Sequence, residues 1–186
     1  MRGVMQPIKI LIAWLQENAS DKHYLFSLQD LRGLFPSLSE GAFKTLVSRT
    51  VKLGLLERVC RGIYAYKSAL YSQGLLLFHA AAHVRSNEFN YISLETVLSD
   101  VGIISQIPIN YISLMSSGRS TTISCGLFGT IEFIHTEQKP ASIMDELQYD
   151  SACRLWRASP QLALRDMKRT YRNCDLIDWS VVNELV

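Results

Sequence analysis

The sequence predicts an α+β protein built from two domains, on three observations. Apolar residues recur at helical spacing through three short segments before residue 54, and two short runs rich in branched and aromatic residues follow at once. After Lys67 the pattern changes to strand-like runs mixed with helical ones. The charge is also unevenly divided: residues 1–70 hold ten Lys and Arg against five Asp and Glu, and the remainder holds nine against twelve. A small basic domain joined to a mildly acidic one points to an anionic partner for the first. An apolar fraction of 48% is that of a chain with a packed core, which argues against disorder.

In chain order, Pro7 suits the first turn of a helix whose Ile8, Leu11, Ile12 and Leu15 form one stripe. The polar stretch ENASDKH ends it. Ser27 with Asp30 three residues later reads as a capping-box variant that opens a short helix around Leu28, Leu31 and Leu34, and Pro36 stops it. Ser37 or Ser39 caps a third helix running to about Leu53, and Gly54 closes it where a left-handed residue is needed. LLERV and GIYAYK, separated by Cys60, Arg61 and Gly62, read as a hairpin. Helix, helix, tight turn, helix and hairpin make a winged helix-turn-helix over residues 1–68, followed by a mixed α+β domain over 69–186. In that second part ALYSQGLLLFHAAAHVR reads as a largely buried helix, and NYISLETVLSDVGII as a strand entering a short helix capped by Ser93. INYISLMSS, RSTTISC and TIEFIHT read as strands between SSGR and GLFG turns. Ser159 and Pro160 open a tail helix through LALRDMKRTY, and Asp178 opens a last one.

The third helix carries the sharpest functional signal. With Phe43, Leu46, Val47, Thr50 and Val51 turned inward, Glu40, Gly41, Lys44, Thr45, Ser48, Arg49 and Lys52 share the opposite face. In a helix-turn-helix this helix enters the major groove. Lys44, Thr45, Ser48 and Arg49 are the candidates for base edges, and Arg49 is able to grip a guanine through two bonds. Lys52, Ser37 and Ser39 suit phosphates, and Arg58, Arg61 and Lys67 on the hairpin suit the backbone or minor groove. A second basic group, Arg154, Arg157, Arg165, Lys168, Arg169 and Arg172, faces only Asp166 between residues 151 and 172. The last four are spaced to share one face of the tail helix. This group reads as a solvated face, a second phosphate-contacting surface, or a site for an RNA or protein partner.

Other residues point away from catalysis, metals and cofactors. Cys60, Cys125, Cys153 and Cys174 show no CxxC or zinc-finger spacing and read as reduced thiols. His79 and His83 lie four apart but without the glutamate of HExxH or a third ligand at a readable spacing. Ser113, Ser116, Ser117 and Ser124 lack a GxSxG setting, and the glycines at 118, 126 and 129 make no phosphate loop. Asp145, Glu146 and Asp150 read as a solvated helix end. No secretory signal is readable, and the longest strongly apolar run, GLLLFHAAAHV, is too short to span a bilayer. A cytoplasmic protein is expected.

The stretches LVSRTVKLGLLERVCRGIYAY, NYISLETVLSDVGIISQIP, TTISCGLFGTIEFIHT and ASPQLALRD resemble the AbiEi-type antitoxin-repressors of type IV toxin–antitoxin systems, which act in bacterial abortive phage infection. The resemblance runs from about residue 8 to 185. It departs at Gln161 and Leu162, where the family has a basic and a small residue. It implies a winged helix that binds inverted repeats in its own promoter, as monomer or homodimer, and represses the operon. It also implies a second domain that supplies antitoxicity, and a nucleotidyltransferase-like toxin opposed without a stable complex. A bacterial, nucleoid-associated location goes with that. Two rivals stand beside it. One is an interaction protein that masks the toxin directly and uses the winged helix for docking. The other is an enzyme on nucleic acid, which needs a carboxylate or histidine cluster that the sequence does not display.

Overall fold

The computed structural model describes residues 6–105 and 110–185, without the side chain of residue 185. The chain folds as two compact units, Met1–Leu76 and Leu77–Val186. The end of the GIISQIP stretch, residues 106–108, and the first residue of INYISLMSS lie outside the described residues.

In the first unit, helix α1 spans Pro7–Asn18 with Pro7 in its first turn and Leu11 and Leu15 fully buried. Strand β1, Leu25–Ser27, leads directly into α2, Leu28–Gly33. The capping box forms: the Ser27 hydroxyl accepts the Asp30 N–H at 3.1 Å, and the Asp30 carboxylate accepts the Ser27 N–H at 2.7 Å. Helix α3 spans Glu40–Lys52, and the hairpin consists of β2, Leu56–Cys60, and β3, Ile63–Tyr66. The sheet has three strands in the order β1-β3-β2, all antiparallel. Strand β1 is the addition to the predicted order. Three residues are too few for an alternating pattern to be read. The core joins Leu11 and Leu15 of α1, Leu31 of α2, Phe43 and Leu46 of α3, and Tyr64 of β3.

After the hairpin, a single 3-10 turn at Gln73–Leu75 precedes α4, Leu76–Val84. This helix is shorter than the buried helix predicted there, and Leu70 is exposed. The second unit continues with β4, Asn90–Ile92; α5, Leu94–Asp100; β5, Tyr111–Ser116; β6, Thr121–Ser124; and β7, Thr130–His135. Two strands unseen in the sequence follow, β8, Leu147–Asp150, and β9, Leu155–Ala158, before α6, Pro160–Arg169, and α7, Trp179–Leu185. The six strands order as β6-β7-β5-β4-β9-β8. The pairs β5–β7 and β4–β9 are parallel and the others antiparallel. Helices α5 and α6 pack on each other, α5 against β5 and α6 against β9. Central β4 is buried along its whole length. Gly129 has φ +124°, and a Cβ there would stand 1.9 Å from the Asn110 carbonyl oxygen, so only glycine fits this turn into β7.

Candidate nucleic-acid interface

Both ends of α3 are fixed by local chemistry. Ser39, not Ser37, is the cap, and its hydroxyl accepts the Ala42 N–H at 3.2 Å. At the other end Gly54, at φ +72°, donates to the Val51 carbonyl, and Leu55 donates to that of Thr50. These are the two bonds of a Schellman closure. Between them Phe43, Leu46, Val47 and Thr50 are buried and Val51 half-buried, while Glu40, Gly41, Lys44, Thr45, Ser48, Arg49 and Lys52 are exposed.

All nine residues read from the sequence as DNA-facing, Ser37, Ser39, Lys44, Thr45, Ser48, Arg49, Lys52, Arg58 and Arg61, are exposed. Their side chains are not equally free. Lys44 pairs with Glu40 at 3.0 Å, and this hydrogen bond and charge hold the Glu40 carboxyl below the usual carboxylate range. Both partners are well exposed, so the pair is weak and yields readily to a phosphate or base. The Thr45 hydroxyl donates back to the Gly41 carbonyl at 2.9 Å, which leaves its methyl group and an oxygen lone pair for a ligand. Arg58 reaches back to the Cys60 carbonyl at 3.3 Å, where β2 carries a register shift. Among the described residues, the side chains of Ser48, Arg49, Lys52 and Arg61 make no hydrogen bond or ion pair. Gly62, at φ +83°, makes the hairpin turn, and its carbonyl accepts the Leu28 N–H at 2.9 Å, which ties the hairpin tip to the start of α2.

Sequence reasoning missed Arg32, in the last turn of α2. Its two terminal nitrogens donate to the Phe35 and Leu38 carbonyls, each at 2.6 Å, and its guanidinium lies 5.2 Å from the centre of the Phe43 ring. The only signal was a lone basic residue inside a short, leucine-rich helix, just before the turn.

The second basic group is rearranged relative to the expectation. Helix α6 ends at Arg169, because Tyr171 takes φ +54° and the Tyr171 and Arg172 amides close back on the Lys168 and Met167 carbonyls. Arg172 therefore leaves the face it was expected to share. It binds Glu95 and grips Glu132 through two bonds of 3.1 and 3.0 Å. Burial opposes its charge, yet these two carboxylates hold its guanidinium above its ordinary value. Arg165 is bidentate on Glu146 at 2.7 and 2.6 Å, and Arg157 spans Asp100 at 2.5 Å and Asp150 at 3.2 Å. The Lys168 ammonium sits 5.7 Å over the Trp179 ring, Arg169 is exposed, and Arg154 turns at φ +59°. Asp145, Glu146 and Asp150 are thus no solvated helix end. The first two lie in a 3-10 turn, the third in β8, and two of the three are arginine partners.

Asp166, the one acid expected to oppose these bases, is fully buried in α6. It accepts from Ser93 at 2.7 Å, Tyr91 at 3.0 Å and Gln138 at 2.9 Å. Burial raises its carboxyl above the usual range despite those donors. Ser93 stands at the cap position of α5, but its hydroxyl serves Asp166 and makes no cap bond.

His79 is buried and its Nε2 lies 2.7 Å from the Ala152 carbonyl; burial lowers its basicity. Among the described residues no group of three or more His, Cys, Asp or Glu is placed to hold a metal ion, and no helix is long and apolar enough to cross a membrane. None of the four cysteines is in a disulfide, and burial, with Asp150 beside it, pushes the thiol of Cys153 up to about 11.

The fold over nearly the whole chain is shared with a solved structure, the RV2827C protein from Mycobacterium tuberculosis. The likeness has a TM-score of 0.57 at 12% identity and covers 95% of this chain and 66% of that one. This chain thus spans about two thirds of the mycobacterial protein's length. No curated protein matches the sequence. The model of a family described as "Transcriptional regulator, AbiEi antitoxin" matches residues 15–67, the segment that runs from the end of α1 through the hairpin. Over that segment the chain is similar to the AbiEi-type antitoxin family of transcriptional regulators, as its resemblance led one to expect.

Proposed function

We propose that residues 1–68 are a winged helix-turn-helix that binds DNA sequence-specifically, with α3 as the reading helix and the β2–β3 hairpin as the wing. The observation that carries this reading is the exposed face of α3. Arg49, Ser48 and Lys52 stand there without intramolecular partners among the described residues, on a helix whose other face is locked into the core. Exposed donors on one rigid face are what base edges and phosphates require. The basic excess of residues 1–70 supports the same reading, because it draws the unit to a polyanion before any base is read.

On this reading the protein is a cytoplasmic, nucleoid-associated bacterial antitoxin and repressor of its own operon. It sits as monomer or homodimer on inverted repeats of its promoter and opposes a nucleotidyltransferase-like toxin without a stable complex. Residues 69–186 form the antitoxin domain. No cofactor or catalytic step is invoked. Autorepression is tested by placing the DNA upstream of the gene before a reporter and supplying the protein in trans. Reporter output falls if the reading is right and is unchanged if it is wrong.

A second reading has one observation in its favour. The second unit exposes Leu127, Tyr171 and Trp179, while Arg157, Arg165 and Arg172 are tied to carboxylates. Exposed apolar side chains beside internally paired arginines suit a protein partner better than a phosphate chain. Direct masking of the toxin predicts co-purification with the neighbouring gene product that survives high salt. The first reading predicts none.

A further inference from the structure

Arg32 touches three consecutive parts of the proposed reading head at once. It belongs to the last turn of α2. Its Nη1 and Nη2 donate to the carbonyls of Phe35 and Leu38, which bracket the turn between α2 and α3. Its guanidinium faces the ring of Phe43, the first buried residue of α3, and Phe43 in turn tilts against Phe35 with ring centres 6.5 Å apart.

The turn needs this support. Pro36 has no N–H to give, and the turn's own bonds are the Phe35 amide to the Arg32 carbonyl at 3.0 Å and the Leu38 amide to the Phe35 carbonyl at 3.2 Å. The Leu38 carbonyl stands immediately before the cap Ser39, so whatever holds it sets the angle at which α3 starts. A planar guanidinium donates to two carbonyls in one fixed geometry, which an ammonium does not reproduce. Arg32 is itself half-buried, and both bonds turn it toward the protein's own backbone. Its charge also reaches Glu40 in the first turn of α3, where it adds to the effect of Lys44 in lowering that carboxyl.

We infer that Arg32 is a positioning residue for sequence reading: it fixes the α2–α3 turn so that Arg49, Ser48 and Thr45 meet base edges in register, without touching DNA itself. The inference rests on the DNA-binding reading of α3. Bidentate base contacts are lost with small displacements, whereas phosphate attraction tolerates them. Loosening the turn therefore costs specific binding and spares non-specific binding.

The experiment titrates the full-length protein and its Arg32→Gln and Arg32→Lys variants with DNA from upstream of its own gene and with random DNA of equal length. It is run over a range of salt concentrations, with active protein counted by stoichiometric titration. The expected result is a loss of about tenfold in upstream-DNA affinity for Arg32→Gln. Random-DNA affinity and its salt slope are expected to stay unchanged, and Arg32→Lys to recover part of the loss. Three outcomes overturn the inference while leaving the reading of α3 intact. In the first, both variants keep the wild-type preference for upstream DNA. In the second, random-DNA affinity and salt slope fall together, which makes Arg32 a phosphate contact. In the third, only the active fraction falls, which makes it a stability residue. If the wild-type protein itself shows no preference, the reading of α3 fails and the inference falls with it.

Discussion

Arg49 and Lys52 stand three residues apart on the side of α3 turned from the core, and substituting them is expected to give different kinds of loss. Arg49→Ala should lower affinity for the cognate site by ~1–3 kcal/mol and leave random DNA nearly untouched, because a guanidinium reading a base contributes to discrimination. Lys52→Ala should weaken all DNA alike and reduce the salt slope by roughly one unit, because a phosphate contact acts through counterion release. Equal losses on both DNAs for Arg49→Ala, measured by fluorescence anisotropy, would sink the base-reading role. Asp166 offers a residue-scale test of the second unit. Its folded carboxyl is raised above the ordinary aspartate value of 3.8, so the folded state holds the proton more tightly than the unfolded state does. This group's contribution therefore becomes more favourable as pH falls through its folded value toward 3.8, the reverse of a carboxylate stabilised by arginine. Asp166→Asn has no such titration. The stability of the wild type relative to Asp166→Asn, from urea unfolding, should rise as pH falls from neutral. A difference independent of pH would contradict the assignment.

At the scale of the element, what could be read was what is decided locally. The Ser27 box, the Pro7 and Pro160 starts, the Ser39 cap and the Gly54 closure involve residues within a few places of one another, so their chemistry is written in the sequence. Ser39→Ala is expected to destabilise the first unit by about 1 kcal/mol through the lost cap bond. Gly54→Ala is expected to cost ~1–2 kcal/mol through left-handed strain alone, because its added Cβ would meet nothing. Thermal melts of the two variants test this, and an unchanged melting temperature for Gly54→Ala would show that the helix end has another closure. Elements that depend on distant partners were not legible. Strand β1 exists because it pairs with β3 far along the chain, and β8 and β9 are short strands whose burial alternates weakly. The end of α6 was misjudged because a tyrosine, Tyr171, takes the left-handed position usually given to glycine.

At the scale of the whole molecule, the division of charge was legible and its distribution in space was not. The counts located a basic first part, and the face of α3 chosen there does turn away from the core. The second group looked equally basic in the sequence. Its partners Glu95, Glu132, Glu146, Asp100 and Asp150 come from other elements, and folding brings them to the arginines. A count of charges along the chain cannot anticipate such pairing, which turns three apparent ligand-binding arginines into internal ties. Arg32 was overlooked for the same reason: its bonds go to two backbone carbonyls that no residue-type pattern records. Whether the first unit reads DNA through α3 is tested most directly by an electrophoretic mobility shift. The full-length protein is run on the DNA upstream of its own gene, against random DNA of equal length, at two salt concentrations. Discrete shifted species on the upstream DNA that persist at the higher salt are the expected result. Binding that is blind to sequence and vanishes with salt, or no binding at either salt, would contradict it.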